Sequence, residues 1–154
     1  MAGKLSREIK QKRPFRSVHE EALLSIMRTA DHVVVPLNEV LRAANLSLSQ
    51  YNVLRILRGA GEDGLPCGEI SERMVRRDPD LTRLLDRLEE RGLVTRTRDA
   101  RDRRVVRASI AKEGVALLDE LDTPVEGGVR RALSHMTAAR VKLLVELLEE
   151  VRDA

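Results

Sequence analysis

The sequence predicts a mainly α-helical chain with a small β-hairpin, and three observations predict it. Apolar residues recur at helical spacing through most of the 154 residues. Capping and stop signals (S-x-x-E, S-x-x-Q, D-P, single glycines) punctuate that pattern. Only after Gly92 does the period change to the alternation of strands. Apolar residues are 42% of the chain, enough for one sizeable core and too many for disorder.

The elements follow in order. Residues 1–16 form a basic arm: Lys4, Arg7, Lys10, Lys12, Arg13 and Arg16 stand against Glu8 alone. Ser17-Val18-His19-Glu20 fits a capping box and opens a helix. Apolar positions then recur at Ala22, Leu23, Ile26, Met27, Ala30, Val33, Val34 and Leu37. Pro36 should kink or briefly interrupt this helix, which resumes through Val40-Leu41 and stops near Asn45. Ser47-Leu48-Ser49-Gln50 is a second capping box. It opens a helix carrying Tyr51, Val53, Leu54, Ile56 and Leu57, with Gly59 as the natural stop.

Residues 60–64 read as a loop and Leu65-Pro66 as a very short edge strand. A third helix is expected around Gly68–Val75. Asp78 suits an N-cap and Pro79 the first helical position of a fourth. That helix buries Leu81, Leu84, Leu85 and Leu88 and ends at Gly92. Its other face shows Thr82, Arg83, Asp86, Arg87 and Glu90.

Leu93–Arg98 then reads as a strand, residues 99–102 as a polar turn, and Arg103–Ile110 as the return strand. The tail is helical over about Lys112–Leu121, disturbed by Pro124 and Gly127-Gly128, and resumes through Val129–Leu133. Thr137 can cap a last helix with Val141, Leu144, Val145, Leu148 and Val151 on one face; Leu143 and Leu147 widen that face beyond what a surface helix needs.

Three helices followed by an arginine-rich hairpin is the order of a winged helix-turn-helix lobe, here residues 46–110. A helix fits the major groove of B-DNA, and its first turns reach base edges and phosphates. A basic hairpin beside it can track the backbone or enter a narrow minor groove. Six arginines between positions 96 and 107 suit that role. The net charge of +3 hides a basic middle, twelve arginines against eight acids over residues 71–107, beside an acidic C-terminal end. Either one side faces a polyanion or the surface is simply salt-bridged.

Other function classes recede. Phe15 and Tyr51 are the only aromatic residues, too few for a platform that stacks single-stranded bases. Cys67, the one cysteine, allows neither an intramolecular disulfide nor a zinc site of two thiolates, and reads as a small apolar filler. His19, His32 and His135 are scattered, so no metal is expected. G-x-S-x-G, P-loop and G-x-G-x-x-G patterns are missing, so we expect neither catalytic residues nor a cofactor. No apolar run approaches the roughly 20 residues of a membrane span. The start of the chain carries no apolar leader, and the expected location is cytoplasmic.

The stretch Leu48–Gly114 resembles the multiple antibiotic resistance regulator (MarR) family of bacterial winged-helix transcription factors. Four ordered pieces carry the resemblance: Gln50-Tyr51-Asn52-Val53-Leu54, the run from Leu81 to Val94, Asp102-Arg103-Arg104, and Lys112-Glu113-Gly114. The resemblance implies a homodimer whose N- and C-terminal helices, residues 17–45 and 111–154, intertwine. It implies a repressor, less often an activator, on palindromic double-stranded DNA. It also implies release by a small phenolic or lipophilic effector. Two departures stand out. Asp78-Pro79-Asp80 occupies a turn where relatives often carry Ser, Thr or Lys, and Ile110-Ala111 replaces a common Leu-Thr pair.

The expected DNA-binding residues are Asp80, Thr82, Arg83 and Arg87 on the fourth helix, and Arg96, Arg98, Arg101, Arg103 and Arg104 on the hairpin. Asp80 either accepts from cytosine N4 or serves the helix start. Arg28, His32 and Tyr51 are candidates for an effector pocket, with ordinary interface polarity as the alternative. Phe15, Val18, Leu144, Leu148 and Val151 are the candidates for dimerisation. The competing function is a winged-helix dimer that binds another protein, motivated by the acids at Asp78 and Asp80.

Overall fold

A computed structural model describes residues 3–153. Met1 and Ala2 of the expected arm, and Ala154 of the C-terminal segment, lie outside the described residues. The chain divides into two compact units, Leu37–Arg130 and the chain on either side of it.

The outer unit begins with α1 (Lys4–Glu8), a short helix the basic composition of the arm concealed. Leu5 and Ser6 are buried, Lys10 takes a left-handed φ of 53°, and Gln11 N–H returns to the Ser6 carbonyl at 2.8 Å. α2 (Val18–Val33) starts where the sequence places it. Ser17 accepts from Glu20 N–H, but the Glu20 carboxylate takes Arg16 N–H rather than closing the box on Ser17. The unit ends with α8 (Ala138–Arg152), capped by Thr137. Neither α2 nor α8 has a buried residue.

Pro36 acts as expected. α2 stops, Val34 turns, and α3 (Val35–Ala43) starts with the proline in its first turn, where no intrahelical donor is lost. Asn45, with φ 52°, closes α3, and Leu46 N–H bonds the Leu41 carbonyl at 3.0 Å.

The lobe continues with α4 (Leu48–Ala60), whose capping box between Ser47 and Gln50 is complete. Gly59 does not end α4; the helix runs on to Gly61, whose φ of 74° supplies the stop. β1 (Leu65–Pro66) and α5 (Cys67–Arg73) follow, then α6 (Leu81–Glu90), β2 (Val94–Arg98), β3 (Val106–Ile110) and α7 (Lys112–Leu133). The three strands form one antiparallel sheet in the order β1-β3-β2. Ala108 pairs with both Leu65 and Arg96. Gly64, at φ 61°, lets the loop before β1 approach the Ala108 carbonyl, where a Cβ would collide.

Two sequence expectations are corrected here. β3 starts at Val106 rather than Arg103, because Asp99 and Asp102 turn the chain over seven residues instead of four. α7 is one helix of 22 residues that passes through Pro124 and both glycines. Pro124 sits on the exposed side, where water can take the carbonyl it leaves free. Leu118, Leu121 and Val125 are buried in the lobe's core and hold the helix through it. That core joins them to Leu41, Val53, Leu54, Leu57, Ile70, Leu85 and Leu88, all 0–7% exposed. The compact unit that holds this core runs from Leu37 to Arg130 and so includes most of α3 and α7.

Candidate nucleic-acid interface

α6 is the centre of the candidate site. Leu84, Leu85 and Leu88 are buried, and Thr82, Arg83 and Arg87 are exposed, so the helix is anchored on one side and free on the other. Gly92, at φ 69°, ends it, and Leu93 N–H returns to the Leu88 carbonyl at 3.0 Å with both side chains buried.

The start of α6 differs from expectation. Asp80, not Asp78, is the N-cap, and its carboxylate accepts from Arg83 N–H at 3.2 Å. Asp78 accepts from Asp80 N–H at 2.9 Å, which steadies the turn before the cap, and Pro79 lies outside the helix. The acids thus satisfy donors and favour the helix dipole. Ser47, Gln50, Asp78, Asp80, Arg83 and Arg87 line a cleft of about 220 Å³ beside the starts of α4 and α6.

The wing is built from its own turn. Asp99 accepts from Arg101 N–H at 2.8 Å and Asp102 N–H at 3.1 Å, and Asp99 N–H bonds the Val105 carbonyl at 2.9 Å. Hydrogen bonds from Arg101 N–H, then Asp102 N–H, then the charge of Arg107 hold the Asp99 carboxyl below the usual carboxylate range. Arg98, Arg101, Arg103 and Arg104 are exposed. Arg98 donates to the Arg103 carbonyl at 2.8 Å, and Arg104 pairs with Asp102 at 3.2 Å.

Arg96 has another employment. Its guanidinium donates to Glu89 at 2.6 and 2.9 Å and to Asp86 at 2.5 Å, with the side chain 21% exposed. The Glu89 hydrogen bond and then that to Asp86 outweigh burial and raise its pKa further. The residue expected to touch DNA is a strut between β2 and α6. Cys67 lies at the start of α5 close enough to feel Arg96, yet burial pushes its thiol up, away from thiolate reactivity.

Three cations that sequence reasoning did not place hold the frame. Arg107 donates to the Asp63 and Gly64 carbonyls at 3.2 and 3.1 Å and pairs with Asp99, pinning the wing to the loop before β1. Arg91 donates to the Asn45 and Ala44 carbonyls at 2.7 and 3.1 Å, capping α3. Arg58 forks onto Asp122 at 2.8 and 3.0 Å and reaches Asp119 at 3.2 Å, tying α4 to α7. Side chains that cross between elements so far apart in sequence leave no periodic signal.

The effector candidates separate. Tyr51 is a core residue of the lobe, 6% exposed, whose hydroxyl accepts from Arg55 at 3.2 Å. Arg28 and His32 are exposed on α2 in the outer unit. Of the dimerisation candidates, Val18 and Val151 are 73% and 59% exposed, and Phe15, Leu144 and Leu148 are half-buried. Phe15 and Val18 line, with Ser6, Lys12, Arg13 and Glu21, a cleft of about 520 Å³. Among the described residues no helix is long and apolar enough to cross a membrane.

Comparison with known proteins gives a consistent set. The model of the MarR family matches residues 46–106. The homoprotocatechuate degradative operon repressor of Escherichia coli is 28% identical over 133 residues, 86% of this chain and 88% of that protein. The crystal structure of a MarR transcription factor from Planctomyces limnophilus is 39% identical, with a TM-score of 0.69 over 88% of this chain and 98% of that one. CouR from Rhodococcus jostii RHA1, solved bound to p-coumaroyl-CoA, is 25% identical, with a TM-score of 0.73 over 89% and 95% of the two chains.

Proposed function

The chain belongs to the MarR family of transcriptional regulators, and on that premise we propose that it is a repressor. It binds a palindromic duplex operator as a homodimer and releases it to a small lipophilic or phenolic effector. One observation carries the reading: the exposed Thr82, Arg83 and Arg87 of a core-anchored helix are followed by the exposed Arg98, Arg101, Arg103 and Arg104 of a wing tied to that helix. In this reading α6 enters the major groove, and Arg83 and Arg87 reach bases or phosphates there. The wing arginines take phosphates or the neighbouring minor groove.

Asp80 and Arg96 serve the interface from within, one capping α6 and the other bracing β2 against it. The use of both acids as turn and cap groups removes the motive for a lobe that binds protein instead of DNA. The homodimer is supported by the apolar exposure of α2 and α8. The effector is supported by relatives whose names carry homoprotocatechuate and p-coumaroyl-CoA. Arg28 and His32 are its proposed contacts, with Tyr51 held in the lobe's core.

The test is fluorescence anisotropy on duplex DNA flanking the protein's own gene. Specific binding falls steeply with salt as counterions are released. Arg103→Ala with Arg104→Ala removes four arginines from the homodimer, lowers the log–log salt slope by about four and leaves the dimer intact. Unchanged affinity in that variant, or no preference over random duplex, overturns the reading.

A further inference from the structure

The turn between α5 and α6 holds a feature that the interface just described does not use. Val75 is 90% exposed, more than any other large hydrophobic side chain among the described residues. It is not a loose residue. Met74 before it is buried, and Val75 N–H donates to Asn52 Oδ1 at 2.9 Å, so an α4 side chain fixes the backbone that displays it. Arg76 and Arg77 follow, both exposed. Among the described residues neither makes an ion pair: Glu69 pairs with Arg73, Asp78 accepts from Asp80 N–H, and Glu72 stands exposed without a partner. The turn runs directly into the N-cap of α6.

Water gives an isopropyl group no partner, and two adjacent cations without counter-ions invite an anion. A polyanion that also offers an apolar group satisfies both. Duplex DNA does, because thymine presents its 5-methyl in the major groove between two phosphate rails. We infer that Val75-Arg76-Arg77 is a DNA-contacting element beside α6 and the wing, with Val75 packing on a thymine methyl and the two arginines on flanking phosphates. This rests on the DNA-binding reading above and adds a base preference at a position α6 does not read.

The experiment uses the full chain. A duplex selected by the wild-type protein from a random pool is remade with deoxyuridine at each thymine in turn. One replacement per half-site weakens wild-type binding roughly three- to fivefold, as the loss of one buried methyl group predicts. The same replacement leaves Val75→Ala binding unchanged, since the contact is already gone. Val75→Ala itself loses the contact in both half-sites and binds the unmodified duplex roughly ten- to twenty-five-fold weaker, while its melting temperature stays at the wild-type value. Arg76→Ala with Arg77→Ala, four arginines in the homodimer, lowers the salt slope by about four. The inference is overturned if no replacement affects the wild type, or if every loss persists in Val75→Ala. Selection of no preferred duplex overturns the DNA-binding reading itself, whereas a preferred duplex indifferent to demethylation overturns this inference alone.

Discussion

α6 and α8 are both leucine-rich helices with a capped start, yet they end differently. α6 buries Leu84, Leu85 and Leu88 against its own lobe. α8 buries nothing, and Leu143, Val145, Leu147 and Val151 stand 49–59% exposed. Removing each leucine of α6 from water contributes about 1.5–3 kcal/mol to the single chain. The apolar face of α8 contributes that only when something covers it. A lobe with a complete core is thus joined to a unit whose helices leave apolar side chains uncovered.

The sharpest way to break this comparison is to damage each helix in turn. Leu85→Ala should cost about 2–5 kcal/mol in urea denaturation, because a tight site cannot collapse around the cavity. Leu144→Asp should leave the lobe folded and yield monomer by light scattering, with a melting temperature that no longer depends on protein concentration. A Leu144→Asp dimer indistinguishable from wild type would mean that α8 is only a surface helix.

Arg96→Gln sharpens the comparison inside the lobe. It should cost about 1–2 kcal/mol, as a charge-assisted pair is lost and Asp86 and Glu89 are left facing each other. Operator affinity should fall while the salt slope stays at the wild-type value, because no phosphate contact is removed. A slope reduced by about two, one for each protomer, would make Arg96 a phosphate ligand instead.

The smallest effect is with pH. Hydrogen bonds from Arg58 hold the Asp122 carboxyl below the usual carboxylate range. The unfolded chain binds that proton more readily, so the stabilisation is present above the ordinary carboxylate pKa and is lost as pH falls through the depressed one. Asp122→Asn should flatten the acid limb of the stability curve and leave operator binding at neutral pH unchanged. An unaltered acid limb would assign the α4–α7 tie to packing alone.

Much of this was legible beforehand where the signal is local. The Ser47–Gln50 box, the stop at Gly92, the break at Pro36 and the cap at Thr137 each depend on residues within one turn of one another, so sequence order carries them. Asp78 and Asp80 show the limit. Both are good caps, and the choice between them depended on where Leu81 and Leu84 had to sit to reach the core. The basic letters of the arm hid α1, because two buried residues among six cations leave no periodicity to count.

Spacing along one chain accounts for the order of elements from α4 to β3, the apolar stripe of α6, the arginine-rich wing and the apolar faces of α2 and α8. Which arginines stay unclaimed follows from folding and from nothing in the order of residues. Arg96 and Arg107 look like Arg101 and Arg103 in the sequence, but the carboxylates and carbonyls that claim them lie on other elements. Tertiary packing also carried α7 through Pro124, where local propensity alone ends a helix. A charge is spoken for, and a weak helix is held, only by partners that folding brings within reach.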